Sequence, residues 1–556
     1  MKSFDAMRRE LLRTGGFGVA GAAVPSMTFA AATPPGEEAG TTMQGMFDVR
    51  KYGATGDGKT LDTDAVNRAI EAAARAGGGL VHFPAGNYLC FSIHLKSHVH
   101  VFLGQGCAIV AAGSPLPEQQ TGYNGGKYDA AEPNAPWEAY QDYGHNHWHN
   151  SLIWGENIHD FSISGPGLIY GKGLSFGADR PARGDYPIYV AEQAGVGNKA
   201  IALKNCRNVI LRDFSMLKGG HFCLLLTGVD NLTIDNLKID TDRDGIDIDC
   251  CQNVRVSNCT VNSPWDDGIC PKSSYALGYA RPTRNLTITN CLVTGSYVLG
   301  TVLDGTFKKY GEGERVGRTG RIKCGTESNG GFINVTISNC VFEGCLGYAL
   351  ESVDGALLED FTITNTTMRD LYSGPIFMRL GRRLRGPKES TRVGTMKRVL
   401  ISNLACYNAP VPGSILTGIP GASIEDVKLS NVYVETAGGG TAEMARILPP
   451  ELEDGYPDPH RFGTIPASGF FLRHMRNVEM SHVEIANATS DARPAFQLHD
   501  VERVDFLAIT APRAAGSTFA LRNVKDMRIG WSRAAADTVI SSAENRNLLI
   551  ESCGSK

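Results

Sequence analysis

Two acidic segments carry the residues best placed to do chemistry. Asp242-Arg243-Asp244-Gly245-Ile246-Asp247-Ile248-Asp249 is followed by Pro264-Trp265-Asp266-Asp267-Gly268-Ile269-Cys270. Aligned on Asp-Gly-Ile, Asp244 matches Asp267 at an offset of 23 residues. If that offset is one turn of a parallel coil, the two side chains sit about 4.8 Å apart, with Asp266 next in sequence. In the same register Asp249 falls opposite Lys272 and is placed to pair with it. Carboxylates held this close raise one another's pKa and cost stability, which a fold tolerates mainly where the cluster is used. Glycoside hydrolysis wants such a cluster, because one protonated carboxyl donates to the leaving oxygen while others activate water. A solvated acidic face and a Ca²⁺ site built from oxygen ligands are the alternatives these residues leave open. Stepping back by the same offset reaches His221, which stacks beside Asp244 to orient it or balance its charge, or serves as a hydrogen-bonded structural histidine.

The elements that must position these residues are read from a repeat. The phrase Asn-apolar-x-apolar-x-Asn-x-x-apolar recurs from Asn208, Asn231, Asn253, Asn285 and Asn334, with weaker copies from Asp360, Arg398, Asp426 and Asn477. Apolar and polar residues alternate, as in strands, and the tightest spacings are 23 and 22 residues. One phrase per turn of about 22 residues fits a coil of a parallel β-helix, whereas a propeller blade needs roughly 40–45. The expected fold is all-β, a right-handed parallel β-helix. The recurring Asn and Cys are expected to stack as internal ladders, with Cys259, Cys291 and Cys340 packing the core. Asp62-Thr63-Asp64 can start a short capping helix that runs to about Ala76, packs through Ala65, Ile70, Ala73 and Ala74, and ends at Gly77-Gly78-Gly79. Long excursions at roughly 112–150, 171–198, 273–283, 303–330 and 435–468 break the repeat, and such loops commonly build the binding site of a rigid solenoid.

Composition sets the outer limits. A chain of 556 residues with 42% hydrophobic and 20% charged residues is neither disordered nor a multi-span membrane protein. Its net charge of -4 argues against a nucleic-acid partner. Near the N-terminus, Arg8-Arg9 precedes Leu11-Leu12 and an apolar, Gly/Ala-rich stretch that ends in Ala30-Ala31-Ala32. Residues 1–32 read as a twin-arginine-like export signal, or an ordinary secretory one, and 33–45 as a linker. Residues 46–556 read as one β-helix domain, periplasmic or extracellular, with no membrane segment in the mature form.

These residues resemble glycoside hydrolase family 28, the polygalacturonase family of pectin-degrading β-helix enzymes. That family shows Asn-Thr-Asp before Gly, then Asp-Asp one coil on. Here the first motif reads Asp242-Arg243-Asp244 and the second is intact as Asp266-Asp267. The opening FDVRKYGATGDGKTLDTDAVNRAI and FPAGNY, and the stretches RIKCGTESNGG, PIFMRLGRR and YPDPHRFGTIPASGFFLRH, are similar to a bacterial branch of it. The resemblance covers about residues 46–500. It implies Asp266 as general acid, with Asp244 and Asp267 holding the attacking water and the anomeric centre inverted. It implies no cofactor and no metal, and a pectic poly- or oligosaccharide as partner. The family's Gly-His-Gly has no intact copy. Its Arg-Ile-Lys letters stand at Arg321-Ile322-Lys323, one coil earlier than expected, while the expected place reads Tyr348-Ala349-Leu350-Glu351. On a strand, Arg321 and Lys323 face one side, and the expectation is that they bind a sugar carboxylate; the alternative is that they are solvated cations and the sugar is neutral.

His145, His147 and His149 alternate and are expected on one strand face, lining or underpinning a sugar cleft rather than holding metal. Arg379, Arg382, Arg383 and Arg473-His474 are further cations within possible reach of a uronate. The excursions are expected to wall one end of the cleft and favour exo action. A β-helix polysaccharide lyase and a non-catalytic carbohydrate-binding β-helix are the competing functions.

Overall fold

Three strands and three turns make one coil. The computed structural model describes residues 45–176, 187–410, 412–511, 518–533 and 545–551. The expected export signal and nearly all of the linker lie outside the described residues. In the coil before the acidic segments the strands are Phe222–Thr227, Asp230–Asp235 and Lys238–Asp240. Strands of successive coils pair in parallel, so each inward residue continues a column. One column reads Leu232, Val254, Leu286, Val335, Phe361, Val399, Val427, Val478, Val504 and Met527. All ten side chains are buried, each worth about 1.5–3 kcal/mol relative to exposure. The architecture is the expected right-handed parallel β-helix.

Helix α1 (Thr63–Arg75) covers the N-terminal end and buries Ala65, Val66, Ala69, Ile70 and Ala73. Asp62 precedes it, but its carboxylate accepts from the backbone N–H groups of Thr55 (2.6 Å) and Gly56 (3.0 Å) instead of capping the helix. Gly78 N–H donates to Ala73 O at the other end, next to Gly77 at φ +87. Near the C-terminal end, Phe470, Phe496 and Phe519 stack at 5.7 and 5.5 Å.

The two ladders differ from expectation in one respect. Cys259, Cys291 and Cys340 do stack inside, and every described cysteine is buried and free. The asparagines stack outside. Asn231 donates to Asn208 (2.9 Å), Asn285 to Asn253 (2.8 Å) and Asn334 to Asn285 (2.9 Å), all on the solvent side. These asparagines have φ of +51 to +59, the left-handed region that a short side chain with local hydrogen bonds visits most readily. The phrase therefore marks coil corners, with Asn both turning the chain and tying it to the next coil.

The face that carries the acidic segments runs the length of the solenoid: β1 (Ile93–His94), β2 (Ser151–Glu156), β3 (Lys199–Lys204), β4 (Phe222–Thr227), β5 (Asp244–Asp249) and β6 (Ile269–Lys272). It continues as β7 (Lys323–Cys324), β8 (Tyr348–Ser352), β9 (Ile376–Leu380) and β10 (Ser414–Thr417), then as the first residues of β11 (Phe470–Asn487), β12 (Phe496–Leu507) and β13 (Phe519–Gly530).

The corner geometry gives a test. Asn231 donates to Asn208 and accepts from Arg255 (2.8 Å) at φ +51. Asn231→Ala loses the ladder bonds and forces a Cβ residue without a local partner into the left-handed region, for a cost of about 2 kcal/mol. Asn231→Gly loses the bonds but not the φ, and costs about 1 kcal/mol. Urea unfolding of the two variants checks this, and equal losses would remove the backbone angle as a cause.

Candidate active site

Asp244 opens β5, and Asp267 lies in the turn that feeds β6. Ile246 pairs with Ile269, which keeps the 23-residue register and stacks the two aspartates. Asp267 N–H donates to Asp244 Oδ1 (3.1 Å), and Gly245 N–H donates to Asp267 O (3.0 Å). Space requires the glycine after Asp244 and leaves little room for a Cβ on the one after Asp267. A Cβ on Gly245 would meet Gly268 O at 2.5 Å and Val261 at 2.6 Å; one on Gly268 would meet Gly320 O at 3.0 Å. Asp244, Asp266 and Asp267 each present a carboxylate oxygen within 4.8 Å of the others.

Their environments differ. Asp267 is 1% exposed and sits between two cations: Arg321 Nε donates to its Oδ1 (2.8 Å) and Lys323 Nζ to its Oδ2 (2.9 Å). Burial opposes ionisation of Asp267, but Lys323 and Arg321 outweigh it and hold its pKa well below the ordinary carboxylate range. Asp244 is buried without so close a cation, and burial first, then Asp266, push it up to about 7. Asp266 is the most exposed of the three, with a side chain 21% accessible and paired to Arg243 at 3.0 Å.

Beneath them lies a buried charge network. Lys272 Nζ is 3.7 Å from Asp244, 3.5 Å from Asp247 and 3.4 Å from Glu327. Glu327 is also paired with His145 (3.6 Å) and Arg385 (2.7 Å). The expected Asp249–Lys272 pair does not form. The two are register partners, but Asp249 accepts from Ser274 N–H (2.8 Å) and Oγ–H (2.6 Å), and Lys272 turns to the other three acids.

His221 is one residue out of the expected register. Phe222 pairs with Asp244, because that coil is 22 residues long, and His221 stacks on the Phe222 ring at 4.3 Å. Arg321 and Lys323 do face the same side with Ile322 in the core, as expected. Their ionic partner is Asp267, however, so they arrive already charge-matched rather than as open cations awaiting a sugar. Glu351, one coil on, is fully buried, with neither carboxylate oxygen hydrogen-bonded among the described residues; burial lifts it to about 7 against the pull of Lys323 and Arg321.

The excursions reach the site from both ends. From 435–468, the Tyr456 hydroxyl lies 3.3 Å from Lys323 Nζ and 3.1 Å from Thr326 Oγ1. From 112–150, Trp137 Nε1–H donates to Ala276 O (3.2 Å), and Asp142 is 3.6 Å from Arg385. The three histidines lie in a 3₁₀ turn (Tyr143–Asn146) and the loop after it, not on a strand. They part company: His145 goes to Glu327, His147 to Glu138 (3.2 Å) and His149 to Glu156 (2.9 Å). Arg379 and Arg473 are buried clamps on the 435–468 excursion. Arg379 donates to Glu451 O, and Arg473 to Pro449 O and Pro450 O at 2.8 Å each. Arg382 and Arg383 pair with Asp454 and Asp354.

Lys272, Glu327, Glu351 and Tyr456 escaped the sequence reading as site residues. The register of Lys272 with Asp249 is legible in the repeat, but its ionic partners Asp244, Asp247 and Glu327 are not. Glu327 and Tyr456 come from excursions, where no repeat predicts register.

A β-helix with a stacked carboxylate trio on one face has the architecture of carbohydrate-active solenoids, and the comparisons agree. Residues 46–140 match the family described as rhamnogalacturonase A/epimerase, pectate lyase-like, and residues 199–383 match the right-handed β-helix region. A probable polygalacturonase of Vitis vinifera is 25% identical over 272 residues, 44% of this chain and 48% of that one. The chain thus spans about half the length of that relative. The Family 28 exopolygalacturonase of Yersinia enterocolitica aligns with a TM-score of 0.58 at 18% identity, covering 84% of this chain and 78% of that one. An exopolygalacturonase from Thermotoga maritima gives 0.55 at 18% identity, over 80% and 92%. The chain has the right-handed parallel β-helix fold that these solved structures share, and its sequence is similar to polygalacturonases.

The raised pKa of Asp244 has a sign that can be measured. Folded Asp244 keeps its proton to about pH 7, whereas an unfolded aspartate loses it near pH 4. Between those values the folded state binds the extra proton, so this group's contribution to stability falls as pH rises. Asparagine cannot titrate. Asp244→Asn is therefore expected to gain stability relative to wild type as pH rises from about 4 to about 7, read by denaturant unfolding across that range. A pH-independent difference would count against the buried proton.

Proposed function

We propose that the protein is a glycoside hydrolase that cleaves α-glycosidic bonds of pectic polysaccharide, acting from chain ends with inversion. The observation that carries this reading is a stacked trio of carboxylates in which two cations hold Asp267 ionised while the buried Asp244 keeps a proton to about pH 7. Asp267, held ionised by Arg321 and Lys323, is the base that takes a proton from water, with Asp244 beside it. Asp266, the most exposed, is the member a leaving oxygen can reach and acts as general acid. Below about pH 7 the trio retains a proton on the Asp244 side; titration in such a cluster belongs to the group rather than to one residue. As the glycosidic bond breaks, Asp266, to which Asp244 passes the trio's proton, protonates the leaving oxygen, and water adds to the anomeric carbon from the other face, giving its proton to Asp267.

Inverting enzymes usually keep acid and base about 6.5–9.5 Å apart to admit water, and retaining ones about 5–5.5 Å. The compact trio favours the retaining alternative on distance. Asp267 speaks against it: both of its oxygens are engaged by cations, which blunts a nucleophile but suits a carboxylate that orients water. The exo reading is supported by the two excursions, one reaching Lys323 through Tyr456 and the other reaching Ala276 through Trp137.

Asp266→Asn should lower turnover of the true substrate by roughly a hundredfold or more, the scale of a lost acid–base group, with the fold intact. Wild-type kcat/KM should decline above about pH 7 as the trio gives up its proton. Reducing-sugar and ultraviolet assays on homogalacturonan and rhamnogalacturonan separate hydrolysis from elimination, and NMR of the first-formed anomer reads inversion. Near wild-type turnover in Asp266→Asn would overturn the assignment, and early release of long oligomers would overturn exo action.

Export, the expectation from residues 1–32, places such an enzyme with its polymeric substrate outside the cytoplasm. Arg8→Lys with Arg9→Lys should retain the protein inside the cell if the twin-arginine reading holds; unchanged export would favour an ordinary secretory signal.

A further inference from the structure

Toward the C-terminal end, the face that carries the aspartates turns cationic. Arg473 of β11, His499 of β12 and Arg522 of β13 are register partners on three successive coils. On the adjoining face Lys525 pairs in register with Arg546. These five side chains line a cavity of about 560 Å³, whose other walls include Leu448, Glu451 and Asp500. His499 lies six coils beyond Asp267, roughly 29 Å at a coil repeat of about 4.8 Å, so the cavity is separate from the aspartate trio.

Its charge is unbalanced. The two acids are already engaged: Glu451 with Arg473 (3.1 Å) and His474 (3.2 Å), and Asp500 with His474 (3.5 Å) and the Asn523 amide. Arg522, Lys525 and Arg546 have no hydrogen-bonded or ion-paired acid among the described residues. At the buried floor, Arg473 Nε and His499 Nδ1 lack a hydrogen-bond partner among the described residues. Burial, then the cations of Arg473 and Arg522, press the pKa of His499 down to about 4 against the opposing pull of Asp500. The cations are spread over neighbouring coils rather than converging on one point. A single small anion would meet them one at a time, whereas a chain with carboxylates at intervals meets several together, each guanidinium able to grip a carboxylate with two N–H groups.

We propose that this cavity is a second saccharide site, which holds an acidic oligosaccharide by its uronate carboxylates. The proposal takes its probe from the pectic reading above but not its evidence. Arg522 and Lys525 are exposed, so replacing both with serine leaves the fold in place. The full chain carrying Asp266→Asn is titrated calorimetrically with a short oligogalacturonate, with and without Arg522→Ser and Lys525→Ser; a neutral galactan oligomer and inorganic phosphate serve as parallel probes. The expected result is two oligogalacturonate sites, one of them weakened roughly tenfold or more by the double change, no galactan binding there and little phosphate binding. In the otherwise native chain, the double change should leave cleavage of a short substrate unaltered. Unchanged oligogalacturonate binding in the double variant overturns the proposal, as does phosphate binding as tight as the oligomer's. If the native chain cleaves no pectic substrate and the double variant still loses oligogalacturonate binding, the hydrolase reading falls and this site stands.

Discussion

A carboxylate that is almost wholly buried stays ionised only if cations reach it, and the site depends on how that is done for Asp267. Stacking in a parallel coil brings Asp244 and Asp267 together at no extra cost in backbone order, but two like charges in a dry wall repel and lose hydration. Arg321 and Lys323 answer this for Asp267 from the next coil, at 2.8 and 2.9 Å. Asp244 is left with Lys272 at 3.7 Å, shared with Asp247 and Glu327, and keeps a proton instead. Two chemically identical side chains in one column therefore hold different protonation states because the coil above one of them supplies two cations. Gly245 belongs to the same constraint, since a Cβ there would meet Gly268 O at 2.5 Å and hold the two turns too far apart to stack the acids.

This also explains which parts of the site were legible in the sequence. The Asp-Gly-Ile repeat reports a real register, and Asp244 and Asp267 were paired correctly from it. The same offset carried one coil further failed for His221, because the turn before Asp244 is one residue shorter than the turn before Asp267. A coil's strands are fixed in length by the phrase, but its turns are not, so register decays with each extrapolation. The Arg321–Lys323 alternation was legible as a shared direction and not as a partner, since the partner lies 54 residues back from Arg321 across an insertion. The corner asparagines show a similar limit. Their spacing marks the coil, yet a polar residue recurring beside apolar ones reads equally well as an inner or an outer ladder until the backbone angle is known.

The excursions hold what the repeat does not encode, and the solenoid secures them with buried arginines. Arg379 and Arg473 occupy the outward column that begins with Glu351, and both donate to backbone carbonyls of the 435–468 excursion, Arg473 pairing also with the Glu451 carboxylate. A carbonyl offers no charge to neutralise an arginine, so these contacts are directional more than electrostatic. They fix the loop that delivers Tyr456 to Lys323, and so connect the far coils to the aspartate trio. Beyond Arg473 the excursion ends, while the column continues through His499 to Arg522. With no loop carbonyls left to accept from it, the cationic column opens to solvent, and its positive charge becomes available to a ligand instead of to the protein's own backbone.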